Sequence, residues 1–263
     1  MEIKLEKLID ENISYFEISK SKDLLKKLKE FINDKNNINL KLSFNTLCLG
    51  TKLYGNSKEE SKIIQKNNCK DILKLNSICE KVVKLLIKSK VDFNGKIFVE
   101  NLEGKKNNND FLIQSLLNLK FNKYKSKMEQ IITFSSDYLS KENNLNNMCD
   151  FKDNKCVSCR ERNIDRVIGC CQKNCKYTHT GICNVKNISC KLYMCDYVEN
   201  RGYYFSPYYL PITKKYFSLT QRFFSTCLLF KSLEFQSKVL RYCKIFPYVL
   251  IGIIFLIILV GIV

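Results

Sequence analysis

The 263-residue chain contains no tryptophan, a single histidine, His179, and only nine glycines. With one histidine, the common Ser-His and Cys-His catalytic arrangements have little to draw on, and residues 1–140 contain none at all. No GxSxG elbow, P-loop or glycine-rich phosphate cradle occurs. The Glu59/Glu60 pair sits at an expected helix start, where it complements the helix dipole and has no acid–base role. No catalytic residue is assigned, and an enzymatic role is expected only if the chain carries a redox cluster. No internal repeat is evident.

The opening, MEIKLEKLIDENISYFEISKSKD, also lacks an uninterrupted apolar stretch. A secretory signal needs about 7 to 15 apolar residues after a basic start, so export by that route is not expected. Charge is missing from one place only. Ile245 to Val263, IFPYVLIGIIFLIILVGIV, runs nineteen residues without a charged or amide side chain. At about 1.5 Å per residue, a helix of that length matches a hydrocarbon core of about 30 Å. A C-terminal, single-pass membrane anchor is the expectation. From Arg201 to Lys244, eight basic residues face Glu234 alone, so the positive-inside rule puts the bulk of the chain in the cytoplasm, at the cell membrane.

What the chain has in abundance is cysteine, fourteen in all. Nine lie in one window: Cys149, Cys156, Cys159, Cys170, Cys171, Cys175, Cys183, Cys190 and Cys195, with His179 among them. In a reducing cytosol such a cluster points to metal rather than disulfides. Cys156-x-x-Cys159 is the tight spacing that lets two thiolates from one turn reach one ion. Closed zinc sites take four donors each, so the nine thiols suffice for about two zinc ions. An iron–sulfur cluster is the alternative cofactor. His179 is a possible further ligand. Cys48, Cys69, Cys79, Cys227 and Cys243 are scattered and suit small buried apolar positions.

The order CVSC, GCCQKNC, GICNVKNISCKLYMC resembles bacterial cysteine-rich proteins described as zinc- or iron-chelating domains. The opening CDFKDNKC, Cys149 to Cys156, also resembles uncharacterised cysteine-rich proteins of AT-rich Gram-positive bacteria. The resemblance covers about residues 148–200 and implies metal chelation. It carries no reaction with it.

The fold class expected is α+β: a mixed N-terminal domain over 1–140, a small metal-stabilised cysteine-rich module over 148–200, a basic aromatic juxtamembrane segment over 203–244, and a C-terminal transmembrane helix over 245–263. SKDLLKKLKEFIND, 21–34, has a one-faced helical pattern, while 39–44 and 95–101 run as strands do. Ser57 with Glu60 predicts a capped helix reaching about Lys90, with a break near Asn67-Asn68. KENNLNN, 141–147, reads as a polar joint before the module.

The net charge of +18 invites nucleic acid as a partner, with Arg160, Arg162 and Arg166 near the cysteines. The distribution favours anionic lipid instead. Residues 1–150 carry 27 basic against 20 acidic side chains, and residues 151–263 carry 17 against 6. Lys214, Lys215, Arg222, Lys231, Lys238, Arg241 and Lys244 are the expected lipid-surface residues, on a helix from Thr213 onward whose aromatics lie at headgroup level. The function these features suggest is a membrane-anchored, zinc-binding structural or interaction platform. An iron–sulfur redox or sensor protein, and a nucleic-acid-binding zinc module, are the alternatives.

Overall fold

Ser57 begins the longest helix, α1 (Lys58–Lys88), by accepting a hydrogen bond from Glu60 N at 3.2 Å. The Glu60 carboxylate turns back to the amide of Asn56, 2.7 Å away, so the cap closes one residue earlier than a standard capping box. The computed structural model describes residues 3–9, 12–17, 39–44, 54–88, 98–101, 109–121, 127–150, 152, 155–163, 178–179, 182–183 and 185–244. The chain forms two compact units, Met1–Lys52 with Asn67–Asn122, and Leu53–Lys66 with Lys123–Val263. Helix α1 contributes its first turns to the second unit and the remainder to the first.

In the first unit α1 places Cys69, Ile72, Leu75, Asn76, Cys79, Val82 and Val83 on a buried stripe, with Lys70, Lys74, Lys81 and Lys84 turned outward. The helix runs through Asn67-Asn68 without a break, and Asn68 is itself buried. Helix α2 (Asn109–Phe121) buries Leu112, Ile113, Leu116 and Leu117. Each fully buried Leu or Ile contributes about 1.5–3 kcal/mol relative to exposure. Four short strands pair in the order β2-β1-β3-β4: β1 (Ile3–Ile9), β2 (Asn12–Glu17), β3 (Asn39–Phe44) and β4 (Phe98–Asn101). The first two form an antiparallel hairpin, β3 lies antiparallel to β1, and β4 runs parallel to β3 beside α2.

The second unit is built on α3 (Lys127–Asn146), which buries Ile131, Ile132, Ser135, Ser136, Tyr138 and Leu139. The asparagine-rich stretch 141–147 is no joint: it forms the last turns of this helix. Asn146 donates to Glu142 O at 2.8 Å and accepts from the Tyr54 hydroxyl, while Glu142 is buried. Asn147, at φ +46°, ends the helix in the left-handed conformation that asparagine tolerates. Nearby, Gly202 at φ +86° brings its chain so close to Gly55 that an added Cβ would meet the Gly55 carbonyl oxygen at 2.1 Å. Ser61 bridges the same approach, accepting from Gly55 N at 2.8 Å and donating to Gly202 O.

The α+β class expected from the sequence is therefore corrected. The core among the described residues is helical, its buried side chains lying on helices and the loops between them. Among the described residues no helix is long and apolar enough to cross a membrane. The runs at 39–44 and 98–101 do form strands, but the long 3.6-residue stripes of α1, α2 and α3 carry the buried apolar surface among the described residues. The apolar run 245–263 and the segment 21–34 lie outside the described residues.

Candidate metal centre

The described residues of the stretch CDFKDNKC close on one another. Lys152 and Lys155 exchange both backbone hydrogen bonds, at 2.9 and 2.8 Å, and Val157 N donates to Cys149 O at 2.8 Å, tying the two ends together. Asp150, at φ +34°, turns the chain. The Arg160 guanidinium then straps the loop, donating to the Asp150 carboxylate at 2.6 Å, to Lys155 O at 2.9 Å and to Asp150 O. Desolvation pulls the Asp150 carboxyl upward, but the Asn147 amide and the charges of Lys152 and Arg160 outweigh it and hold it below its ordinary value. Arg160 is thus committed to the loop. Arg162 lies over the Tyr197 ring, 5.4 Å from its centroid, and Arg166 lies outside the described residues.

From this loop the chain enters α4 (Val157–Glu161), with Cys156 extended at the N-cap and Cys159 one turn in. Their Sγ atoms are 3.7 Å apart and both residues are buried. That separation is far too long for a disulfide, whose sulfurs sit about 2.05 Å apart. It matches the edge of a tetrahedral zinc–thiolate site, about 3.8 Å for Zn–S bonds of about 2.3 Å. Burial pushes the Cys156 thiol above its usual range. Between the two cysteines the fully buried Ser158 hydroxyl has no hydrogen-bond partner among the described residues.

The other expected ligands are distributed as follows. Cys149 is half-buried at the start of the loop, and Cys195 is buried at the N-cap of α6 (Asp196–Asn200). Its backbone repeats that of Cys156, φ −77° in both with ψ of 155° and 165°. A hydrogen bond from the Tyr197 hydroxyl to Glu161 ties the two short helices together. Cys190 lies on α5 (Ile188–Leu192), where its sulfur accepts from Phe230 N at 3.2 Å. Cys183 and His179 fall on a two-stranded ribbon, β5 (Thr178–His179) and β6 (Ile182–Cys183), with Thr178 opposite Cys183. Cys170, Cys171 and Cys175 lie outside the described residues. Among the described residues no group of three or more His, Cys, Asp or Glu is gathered as an ion site. Cys156 and Cys159 are brought together as a pair. Cys69, Cys79 and Cys243 are buried and Cys227 is exposed.

The expected juxtamembrane helix divides into three pieces: α7 (Pro211–Tyr216), α8 (Leu219–Cys227) and a helical stretch over 233–244. Ser218 and Gln221 form a full capping box that restarts the chain at α8, and Phe230 at φ +58° turns it again. Helix α5 lies against both α3 and α8, and α7 also packs on α3. The seam between module and segment is polar and buried. Asn187 caps α5 by accepting from Cys190 N at 2.9 Å and donates to Leu228 O at 2.7 Å and Lys231 O at 3.0 Å. Gln236 donates to Lys186 O at 3.0 Å, and Gln221 to Leu240 O at 2.7 Å. Ser189 donates to Ser225 O and accepts from Leu228 N at 2.9 Å.

Among the expected lipid-surface cations, Lys214, Lys231, Lys238, Arg241 and Lys244 are exposed and Lys215 is half-buried. Arg222 is buried, donating to Lys214 O at 3.1 Å and Phe217 O at 2.9 Å. Sequence reasoning missed the inward-facing Asn187, Gln221 and Gln236. The Ser218-x-x-Gln221 spacing was the one local sign of them. No protein-family model matches this chain, and no curated protein or solved structure matches it significantly.

Proposed function

We propose that the chain is a zinc–thiolate protein that serves as a structural or interaction platform at the cytoplasmic face of a membrane. The observation that carries this reading is the 3.7 Å separation of the buried Cys156 and Cys159 sulfurs, the spacing two thiolates take on one tetrahedral ion. Zinc bound there would cross-link the CDFKDNKC loop to two further donors from the cysteine window. The chain's own part is to hold the pair ready: the Arg160–Asp150 strap and the Cys149–Val157 hydrogen bond fix the loop from which both thiols project. A raised Cys156 pKa means that the thiol gives up a proton on metal uptake, so affinity falls as pH falls. The charge excess over 151–263 and the apolar run after Lys244 support a membrane setting.

The test is the metal content of the full chain, purified without oxygen. About two zinc per chain are expected, and Cys156→Ser with Cys159→Ser should release one. Cobalt substitution should give the visible bands of tetrahedral thiolate coordination, and the double variant should lose them. A brown protein carrying iron and sulfide would replace the metal while keeping the cysteine pair. A folded chain with no metal would overturn the reading.

A further inference from the structure

Helix α8 is built inside out. A surface helix on a globular body buries its apolar stripe and turns its polar side chains to water. Here Gln221, Arg222 and Ser225 are buried, whereas Leu219 and Phe223 are 68% and 56% exposed. Leu219, Phe223 and Cys227 follow one another at four-residue spacing, so the exposed side is a single face. The stretch 233–244 follows the pattern in part, with Leu240 and Cys243 also buried. Gln236 and Ser237 point inward, while Phe235 and Tyr242 are 45% and 74% exposed. Gln221, Gln236 and Arg222 are held by carbonyls of Leu240, Lys186, Lys214 and Phe217, which fixes the outward direction of the aromatics.

We infer that this outward face, Leu219, Phe223, Phe235 and Tyr242 among Lys214, Lys231 and Lys238, seats in the headgroup layer of an anionic bilayer. The inference deepens the membrane setting proposed above and rests on it. Two observations select lipid as the occupant. Among the described residues the exposed charges around the aromatics are mostly cationic, Glu234 pairing with Lys238 at 2.8 Å and Glu129 meeting Arg241 at 3.8 Å, so the face complements a negative surface. It is also continuous in the chain with the nineteen uncharged residues that begin at Ile245. Aromatic rings flanked by lysines suit the interface, where one end of each side chain is apolar and the other wet. Because the same helices are bonded through Asn187 and Gln236 to the cysteine module, seating them holds that module at a fixed attitude to the membrane.

The absence of tryptophan makes the test clean, since one introduced indole is the only one in the chain. Phe223→Trp and, separately, Tyr242→Trp are made in the full chain and reconstituted into vesicles of phosphatidylglycerol and phosphatidylcholine, with brominated acyl chains as quenchers. The apolar run is present in every sample, so quenching reports the face itself. Both probes should be quenched in anionic vesicles and shielded from aqueous iodide. Replacing Lys214, Lys231 and Lys238 by Gln in the Phe223→Trp background should lower the seated-to-free ratio by about fivefold per lysine. Probes that stay unquenched by lipid overturn the inference. Shielding from iodide that grows with the protein-to-lipid ratio, without lipid quenching, overturns it in favour of a second copy of the chain. Zinc measured on the same samples separates the two readings: normal zinc with unquenched probes removes the face alone, and quenched probes without zinc remove the metal alone.

Discussion

Helices α1 and α8 use nearly opposite chemistry to stay folded. In α1 the buried stripe is Ile72, Leu75, Cys79, Val82 and Val83, and lysines occupy the outside. In α8 glutamine, arginine and serine are inside and leucine and phenylalanine are out. The first helix is held by apolar transfer, which needs no particular partner. The second is held by hydrogen bonds whose partners must be at defined positions, and it leaves its apolar side chains for another medium. From Cys69 onward α1 buries mostly apolar side chains, together with Asn76, whereas α8 buries no apolar side chain.

The sharpest way to break the comparison is to truncate matching positions. Leu75→Ala, at a fully buried site, should cost about 3 kcal/mol through lost transfer energy and the cavity left behind. It should be seen as an earlier loss of helical circular dichroism in urea. Arg222→Met removes the donors that serve Lys214 O and Phe217 O, and about 2 kcal/mol of destabilisation is expected from the two orphaned carbonyls. If Arg222→Met proves neutral, the polar interior of α8 is not what holds it.

Acidity distinguishes the cysteine sites next. Burial pushes the Cys79 thiol from 9.0 up to about 12 and moves Cys156 upward as well. In the metal-free chain the folded state then holds protons that the unfolded state releases. The stability from the Cys79 thiol is complete below about pH 9 and is lost as pH rises toward 12, at roughly 1 kcal/mol per unit, and that from Cys156 is lost in the same direction. Urea midpoints at pH 8 and 10 check the sign. Zinc should remove the contribution of Cys156 while leaving that of Cys79. The smallest effect is expected at Phe223→Ala, under about 0.5 kcal/mol, because the ring is already in solvent. A large cost there would mean that the ring is covered by protein.

What the sequence made legible was local. Ser57 and Glu60 announce the start of α1, and its apolar stripe follows from periodicity. Cys156 and Cys159 meet because three residues span one turn. What stayed hidden depends on distant partners. The 141–147 asparagines look like a joint until Glu142 is buried and Asn146 bonds within α3. Nothing in the sequence turns Gln221 and Gln236 inward on its own, because the carbonyls they need belong to Leu240 and Lys186. The fold class differs for another reason: the strand runs at 39–44 and 98–101 are short, and the helical stripes dominate the described core. A third or fourth companion for Cys156 and Cys159 requires the fold to bring it from elsewhere in the chain, which spacing does not encode.

Asn187 adds a consequence in time. A ribosome makes the chain from residue 1 onward, and Asn187 needs the carbonyls of Leu228 and Lys231, which are added 41 and 44 residues later. A nascent chain can therefore display every cysteine from Cys149 to Cys195 while the polar seam that will cover α5 has not yet been synthesised. The seam that packs α5, and the Phe230 amide that meets the Cys190 sulfur, form only after those later residues are made.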